Sequence, residues 1–184
     1  MAVFGAGRVG LSSIGAAAIA GADPIMAVDL ADRKLQFARE FGATHTVNAT
    51  DNDPVKEIWP INPGGVDYAL DAVGAPTTAL QILGAVGQGG PRADNQGGTA
   101  VLMGIPVSDV SVDLNSILLY QRNYCGSLGA TESESDFPLF LDWVREGKFP
   151  LEKLVTDRYA LEQIEDARVA LEEGRILGRA IIEI

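Results

Sequence analysis

The chain has 184 residues, of which 25 are Asp or Glu and 14 are Lys or Arg, so its formal net charge is −11. An apolar fraction of 47% excludes a disordered chain, and a single cysteine excludes a disulfide scaffold. The acidic balance argues against a nucleic-acid partner, because a phosphate backbone would be repelled on average. The sequence shows no apolar run long enough to span a membrane and no basic leader, so we expect no membrane contact and a cytoplasmic location.

Short apolar runs alternate with helical patterns along the first two thirds of the chain. The predicted strands cover residues 2–4, 25–28, 46–47, 66–72, 99–103 and 124–128. Residues 9–20 and 76–86 are predicted helices, and Leu35, Ala38 and Phe41 mark a third one that ends at Gly42. The strand runs have little polar alternation, which is typical of strands covered on both faces in a parallel sheet. Each crossover between them leaves room for one helix.

The composition changes after residue 129. We expect helices over 137–146 and 161–173 and strands over 154–159 and 180–184, with Ser135 or Asp136 capping the first helix and with Gly147 and Gly174 ending the helices. The sequence therefore predicts a domain over 1–130 and a tail over 131–184. The tail is too small for a core of its own, so it should pack on the first domain or on a lobe outside this chain. The Gly-rich stretch 87–98 is predicted to be a surface loop.

Three glycines follow the first predicted strand in a GxGxxG pattern. Gly5 permits a tight turn, Gly7 lets the backbone approach a pyrophosphate, and Gly10 lets the next helix lie close to the sheet. The free N–H groups at the start of that helix would face the anion. A purely structural glycine turn has the same spacing, so the motif alone leaves both interpretations open.

Asp29 adds a second feature, because it ends the second predicted strand 19 residues after Gly10. A carboxylate there can accept hydrogen bonds from the hydroxyls of an adenosine ribose and would repel a 2′-phosphate, so NAD(H) is expected and NADP(H) is not. Two observations keep alternatives open: Arg33 and Lys34 could pair with a phosphate, and Asp29 could instead cap the next helix. Together, the glycines, Asp29 and the alternating strands and helices predict an α/β fold of Rossmann type. We expect a doubly wound parallel sheet of six strands, followed by a C-terminal α/β appendage.

Four other residues could take part in catalysis or metal binding, but a structural role explains each of them better. Asp67 and Asp71 could suggest paired acids, but they lie at opposite ends of one strand, about 13 Å apart. His45 is the only histidine and fits a polar strand start better than a metal ligand. Cys125 is expected to be a small buried apolar residue.

Several segments together resemble the medium-chain, zinc-type NAD-dependent alcohol dehydrogenases. They are VFGAGRVG (3–10), AVDLADRKLQFAREFGATHTVNA (27–49), GGVDYALDAVG (64–74), GTAVLMGIP (98–106), YCGSLG (124–129), LVTDRYALEQIEDARVALEEG (154–174) and GRAII (178–182). The resemblance implies that Arg8, Val9 and Arg179 meet the pyrophosphate, and that Asp29 and Lys34 contact the ribose. It also implies that Val73 and Gly74 line the coenzyme cleft and that the nicotinamide lies against Met103, Gly104 and Ile105. Backbone groups of Ser127 and Gly129 would hold the carboxamide.

The resemblance also implies that this chain lacks the zinc ligands and the proton-relay residues of the family. In that family the zinc ligands and proton-relay residues precede the first glycine motif, and zinc stabilises the alkoxide that gives up a hydride. One Cys and one His cannot make such a site, so we expect this chain alone to bind NAD without oxidising alcohol, its catalytic lobe lying outside it. The stretch 91–97 is unusual for the family.

The family further implies a homodimer through the sheet edge near residues 110–112 and the sixth strand. The alternatives are a stand-alone NAD-sensing regulatory module and a zinc-free quinone reductase. Segments 124–129 and 154–182 weigh against the regulatory module, and Asp29 weighs against the quinone reductase.

Overall fold

The computed structural model describes residues 1–90, 96–129 and 132–184. The strands and helices of the first part alternate along the chain, as follows: β1 (Ala2–Phe4), α1 (Arg8–Ile19), β2 (Met26–Asp29), α2 (Asp32–Arg39), β3 (His45–Asn48), α3 (Pro54–Ile61), β4 (Tyr68–Asp71), α4 (Pro76–Ala85), β5 (Thr99–Leu102), α5 (Leu114–Leu119) and β6 (Asn123–Gly126). The later elements are α6 (Ser133–Arg145), α7 (Leu151–Leu154), β7 (Val155–Ala160), a 3-10 turn (Leu161–Gln163), α8 (Ile164–Glu172) and β8 (Arg179–Glu183).

β1 to β6 form one parallel sheet in the order β3-β2-β1-β4-β5-β6, and this confirms the predicted six-stranded parallel α/β fold. Alternate residues of the central strands enter two separate cores. Ala2 and Phe4 of β1 pack in one core with Ile58 of α3 and Ile82 of α4, and Val3 packs in the other with residues of α1 and α2. Both faces of the central strands are therefore covered, which explains why these strands are mainly apolar.

The observed elements differ from the predicted ones mainly at their ends. Leu35, Ala38 and Phe41 are buried as the spacing predicts, and Gly42 after α2 adopts a φ of +111°. On α1, Ala17 is buried and Ala18 is exposed. α3 and α5 fill crossovers for which the sequence predicted a helix without giving its bounds.

Two predictions about the later helices are wrong. α6 begins at Ser133, so Ser135 and Asp136 lie inside it and do not cap it; the N-cap is Glu132, and no side-chain cap bond forms there. The predicted helix over 161–173 is divided into a 3-10 turn and α8. Gly147 and Gly174 do follow the ends of α6 and α8, with φ of +70° and +67°.

β6 lies at the edge of the sheet, and this position corrects the prediction for Cys125. Cys125 lies within β6 and is exposed, not buried, because no seventh strand pairs with β6 within the described parts of the chain. Residues 110–112, predicted to lie at the same edge, form no strand. Part of the loop predicted over 87–98, and the boundary predicted at residues 130 and 131, fall outside the described residues.

The tail carries its own two-stranded parallel sheet, β7-β8, and packs on the helices of the first part. Leu154 is buried in the core that contains α1 and α2, and Phe149 packs against the same core. The rings of Phe41 and Phe149 lie 6.1 Å apart between centroids. A Cβ atom on Gly15 of α1 would come within 2.5 Å of the Phe149 ring, so the ring rests directly on the helix backbone.

Candidate functional site

The turn between β1 and α1 has the geometry that the glycine motif predicts. Gly5 adopts a φ of +93°, and its N–H donates to the carbonyl of Val28 on β2, with 2.7 Å between nitrogen and oxygen. Gly7 is the N-cap of α1, and no side chain caps the helix there. The first-turn N–H groups of α1 therefore point out of the carboxyl edge of the sheet without intrahelical acceptors.

Gly7 and Gly10 of this turn have different surroundings. A Cβ atom on Gly10 would lie 1.7 Å from the carbonyl oxygen of Gly5, so any side chain at position 10 would push α1 away from the turn. Among the described residues, no heavy atom beyond the chain neighbours lies within 4 Å of the Cβ position of Gly7. The fold itself thus requires a glycine at position 10, whereas the space in front of Gly7 is open.

The carboxylate of Asp29 lies next to this turn and holds it. Its Oδ2 accepts a hydrogen bond from the N–H of Ala6 at 2.8 Å, and its Oδ1 accepts from Leu30 at 2.8 Å and Ala31 at 3.0 Å. The N-cap of α2 is Ala31, with no side-chain cap bond, so Asp29 is not the helix cap that the sequence left open as an alternative. A carboxylate offers about four acceptor positions, so about one remains for an incoming hydroxyl.

Arg33, which the sequence left open as a phosphate partner, instead donates hydrogen bonds to the protein's own backbone. Its guanidinium donates to the backbone carbonyl of Arg175, with 3.1 Å between nitrogen and oxygen, and to that of Gly174. These carbonyls follow the end of α8, so Arg33 links the start of α2 to the tail. Lys34, one residue further along α2, is half-buried.

The residues predicted to line the coenzyme cleft and to meet the nicotinamide lie where the central strands end. A Cβ on Gly5 would lie 2.6 Å from a methyl group of Val73, so the segment after β4 touches the glycine turn after β1. Gly74 adopts a φ of +81°, and a Cβ on Gly104 would lie 2.2 Å from the Gly74 nitrogen. The segments after β4 and β5 therefore meet backbone to backbone.

The remaining predicted residues extend the same edge. Met103 and Gly104 follow β5, and Ile105 beside them is 81% exposed. Ser127 follows β6 and donates its N–H to the carbonyl of Leu102 at 2.9 Å. Gly129 ends the described stretch, with a φ of +77°.

The tail brings Arg179 close to the start of α1. Arg8 and Arg179 line a common cavity of about 300 Å³, although one lies at the first helix and the other begins the last strand. Sequence analysis did not predict that Arg168 also lines this cavity. Arg168 forms ion pairs with Glu165 and Glu172 on its own helix. Arginines from the first helix, from α8 and from the last strand thus line one cavity.

The other chemically reactive residues do not gather into a site. Asp71 is fully buried and Asp67 is exposed, so the two do not act as a pair. His45 begins β3, and its Nδ1 lies 2.9 Å from the hydroxyl of Thr44. Within residues 1–90, 96–129 and 132–184, no three His, Cys, Asp or Glu side chains are grouped to hold a metal ion. In the same ranges no helix combines the length and apolar character needed to cross a bilayer.

A sheet of this strand order, with a glycine turn after the first strand and an acid at the end of the second, defines a Rossmann fold. A family model described as zinc-binding dehydrogenase matches residues 9–146. The chain therefore belongs to the zinc-binding dehydrogenase family.

Named relatives support this assignment. Sorbitol dehydrogenase of Bacillus subtilis (strain 168) is 33% identical over 168 residues, a match that covers 91% of this chain and 45% of the relative. The crystal structure of benzyl alcohol dehydrogenase from Acinetobacter calcoaceticus matches with a TM-score of 0.89 and 33% identity, over 100% of this chain and 49% of that one. The chain thus spans about half the length of these alcohol dehydrogenase-like oxidoreductases.

A third structure bears on the fold alone. It is a short chain alcohol dehydrogenase from Escherichia coli CFT073, solved in complex with NADH, with a TM-score of 0.81 and 22% identity over 100% of this chain and 51% of that chain.

Proposed function

We propose that this chain is the NAD(H)-binding part of an alcohol dehydrogenase-like oxidoreductase. The observation that carries the proposal is the open space at Gly7, bordered by the N-terminus of α1 and by the carboxylate of Asp29. A diphosphate would lie in front of the first turn of α1, where unpaired N–H groups and the helix dipole attract an anion. Arg8 and Arg179 would add positive charge from the shared cavity, with Val9 beside them.

The ribose of the adenosine half would lie against Asp29. The acceptor position that remains on its carboxylate supports one hydroxyl hydrogen bond rather than the two that the sequence suggested, unless a backbone bond is exchanged. The negative charge would repel a 2′-phosphate. Arg33 is turned toward the carbonyls of Gly174 and Arg175, which supports NAD(H) over NADP(H). Lys34 completes this half of the proposed site.

The nicotinamide half would lie along the segments after β4, β5 and β6. When bound, the coenzyme supplies the hydride acceptor or donor, and the protein orients it. Val73, Gly74 and the strand end at Met103 to Ile105 would form the surface under the ring. Backbone groups of Ser127 and Gly129 would hold its carboxamide.

The whole reaction is proposed as hydride transfer between an alcohol, or an aldehyde adduct, and NAD. The relatives' names are those of dehydrogenases, which supports this class. Among the described residues no three His, Cys, Asp or Glu side chains are grouped to hold a metal ion, so no step through zinc is assigned to them. We therefore expect the purified 184-residue chain, given zinc, NAD and short alcohols, to form no NADH; steady NADH formation would contradict this. A cytoplasmic location remains a prediction.

Coenzyme binding can be tested by titrating the chain with NADH and with NADPH. We expect NADH to bind at least about tenfold more tightly, and Asp29→Ala to weaken NADH binding about tenfold, since a hydrogen bond to a charged group contributes about 1.5–3 kcal/mol. Asp67→Ala removes the same charge from an exposed position at the other end of the sheet and should change neither affinity. Tighter binding of NADPH, abolished by Arg33→Ala, would overturn the role given to Asp29.

The alternative of a stand-alone NAD-sensing module has less support. Such a module would share the glycine turn and the acid, but the match to benzyl alcohol dehydrogenase covers the whole chain, including the tail. A regulatory module would also need no upstream lobe, so a longer reading frame with Cys and His at zinc-ligand spacing would decide for the dehydrogenase.

We also propose that a second copy of the chain covers the β6 edge of the sheet. α5, which precedes β6, exposes Leu114, Leu118 and Leu119, and Leu118 is 74% exposed. A strand edge that is unpaired among the described residues, next to exposed leucines, favours pairing with another chain. Two-fold pairing at this edge would continue the sheet and cover these side chains.

A further inference from the structure

Asp71 is the most deeply buried charged residue of the described chain, and the proposed coenzyme contacts do not include it. It ends β4 with no exposed surface. One carboxylate oxygen, Oδ1, accepts hydrogen bonds from the N–H groups of Val73 at 2.8 Å and Gly74 at 3.1 Å. The side chain thus fixes the backbone of the segment that follows β4.

The backbone carbonyl of Asp71 holds the neighbouring segment as well. It accepts hydrogen bonds from Met103 at 2.9 Å and Gly104 at 2.8 Å, just after β5 ends. One residue therefore binds four N–H groups in two segments. These are the same two segments that meet backbone to backbone at Gly74 and Gly104, so a shift in one must move the other.

The second carboxylate oxygen of Asp71 is the unusual feature. Among the described residues, Oδ2 is a buried side-chain oxygen with no hydrogen-bond partner. Because Oδ2 makes no hydrogen bond, the side chain holds this backbone through the contacts of Oδ1 alone. The charge of Asp71 also acts on a residue two strands away. Burial, and after it the charge of Asp71, raises the pKa of Tyr124 on β6.

We propose that Asp71 is a positioning residue for the nicotinamide half of the coenzyme site. Its carboxylate and its carbonyl set the relative position of the segments after β4 and β5, and these segments form the surface on which the ring would lie. The inference rests on the proposed NAD(H) function, and it adds that the two halves of the site depend on different anchors. Asp29 anchors the adenosine half, and Asp71 anchors the nicotinamide half.

The test separates the two halves by using two ligands, NADH and ADP-ribose, which lacks the nicotinamide. We expect Asp71→Ala to weaken NADH binding about tenfold, because the released segment must be ordered again when the nicotinamide ring binds, and to change ADP-ribose binding less than about twofold. Asp71→Asn keeps an oxygen for Val73 and Gly74 and has no Oδ2 partner to lose, so it should bind NADH within about threefold of the wild type. Asp67→Ala, at an exposed aspartate directly before the same strand, serves as the matched control.

The outcomes distinguish this proposal from the function on which it rests. If the wild-type chain binds neither ligand, the proposed function fails. If the wild type binds both and Asp71→Ala lowers both affinities equally, or neither, Asp71 has no specific role in positioning the nicotinamide half. Should Asp71→Ala not fold, Asp71→Ser replaces it, because a hydroxyl accepts the same N–H groups less well. The expected order for NADH is then Asp, Asn, Ser, with ADP-ribose binding unchanged; any other order overturns the proposal.

Discussion

Asp29 accepts a hydrogen bond from the backbone N–H of Ala6, 23 residues before it, with 2.8 Å between Ala6 nitrogen and Asp29 Oδ2. The contact joins the end of β2 to the glycine turn after β1. The residue proposed to recognise the ribose therefore also shapes the turn proposed to receive the diphosphate. The two parts of the adenosine site are thus mechanically connected before any ligand binds.

Gly7 and Gly10 should give opposite phenotypes when changed to alanine. Gly10→Ala places a Cβ 1.7 Å from the Gly5 carbonyl and should destabilise the fold by about 3 kcal/mol or more. Gly7→Ala enters open space and should cost only about 1 kcal/mol of stability, from the poorer N-cap, while abolishing NADH binding. Urea unfolding and NADH titration of both variants test this pair. Normal coenzyme affinity in Gly7→Ala would place the diphosphate elsewhere.

Phe149 should anchor the tail to the first part of the chain. Its half-buried ring lies on the backbone of α1 and next to Phe41. We expect Phe149→Ala to lower the free energy of unfolding by about 2 kcal/mol. Phe137→Ala on α6, where the ring is 61% exposed, is the control and should cost less than about 0.5 kcal/mol. Equal effects of the two changes, measured by urea unfolding, would show that the tail is not anchored there.

Tyr124 should make the fold sensitive to alkaline pH. Its hydroxyl donates to the carbonyl of Ala79 at 2.9 Å, and burial, followed by the charge of Asp71, raises its pKa above the usual value of about 10. The folded state therefore favours the protonated phenol. This stabilisation is fully present below about pH 10 and is lost as the pH rises through the higher pKa of the folded protein.

The measurement for Tyr124 is the unfolding free energy between about pH 8 and pH 11. Tyr124→Phe should be about 1 kcal/mol less stable at pH 8, because the hydrogen bond is gone, and should lose less stability than the wild type above pH 10. Tyr68→Phe changes an exposed tyrosine at the start of β4 and should follow the wild-type curve. If the Tyr124→Phe and wild-type curves stay parallel, the hydroxyl does not control alkaline stability.

The β6 edge should make the chain a dimer in solution. Light scattering of the purified chain should give twice the mass of one chain, and Leu118→Lys should shift it to a monomer because a buried lysine at the interface would be costly. Leu30→Lys, an exposed leucine after β2 in the opposite half of the sheet, should leave the dimer intact. A monodisperse monomer of the wild-type chain would contradict the proposal.

Much of the fold was predictable because it depends on neighbours in sequence. Gly5 and Gly10 specify a turn within six residues, and the spacing of Leu35, Ala38 and Phe41 specifies one helix face. Apolar runs without alternation predicted strands covered on both sides, and the observed cores confirm this. The predicted ends of the helices were less accurate, as α6 shows. Its start depends on how much of an acidic segment joins the helix, and the residues of that segment differ little in helix propensity.

The sequence by itself determined the class of fold and the location of the proposed coenzyme cleft, because glycine spacing and apolar periodicity encode contacts within one strand-turn-helix unit. Only the tertiary structure decided which distant groups meet. It exposed Cys125 by placing β6 at an edge, directed Arg33 to carbonyls of the tail, and brought Arg179 to the same cavity as Arg8. It also decided which N–H groups on two segments donate hydrogen bonds to Asp71. No local sequence pattern predicts which strand ends will lie side by side once the sheet has formed.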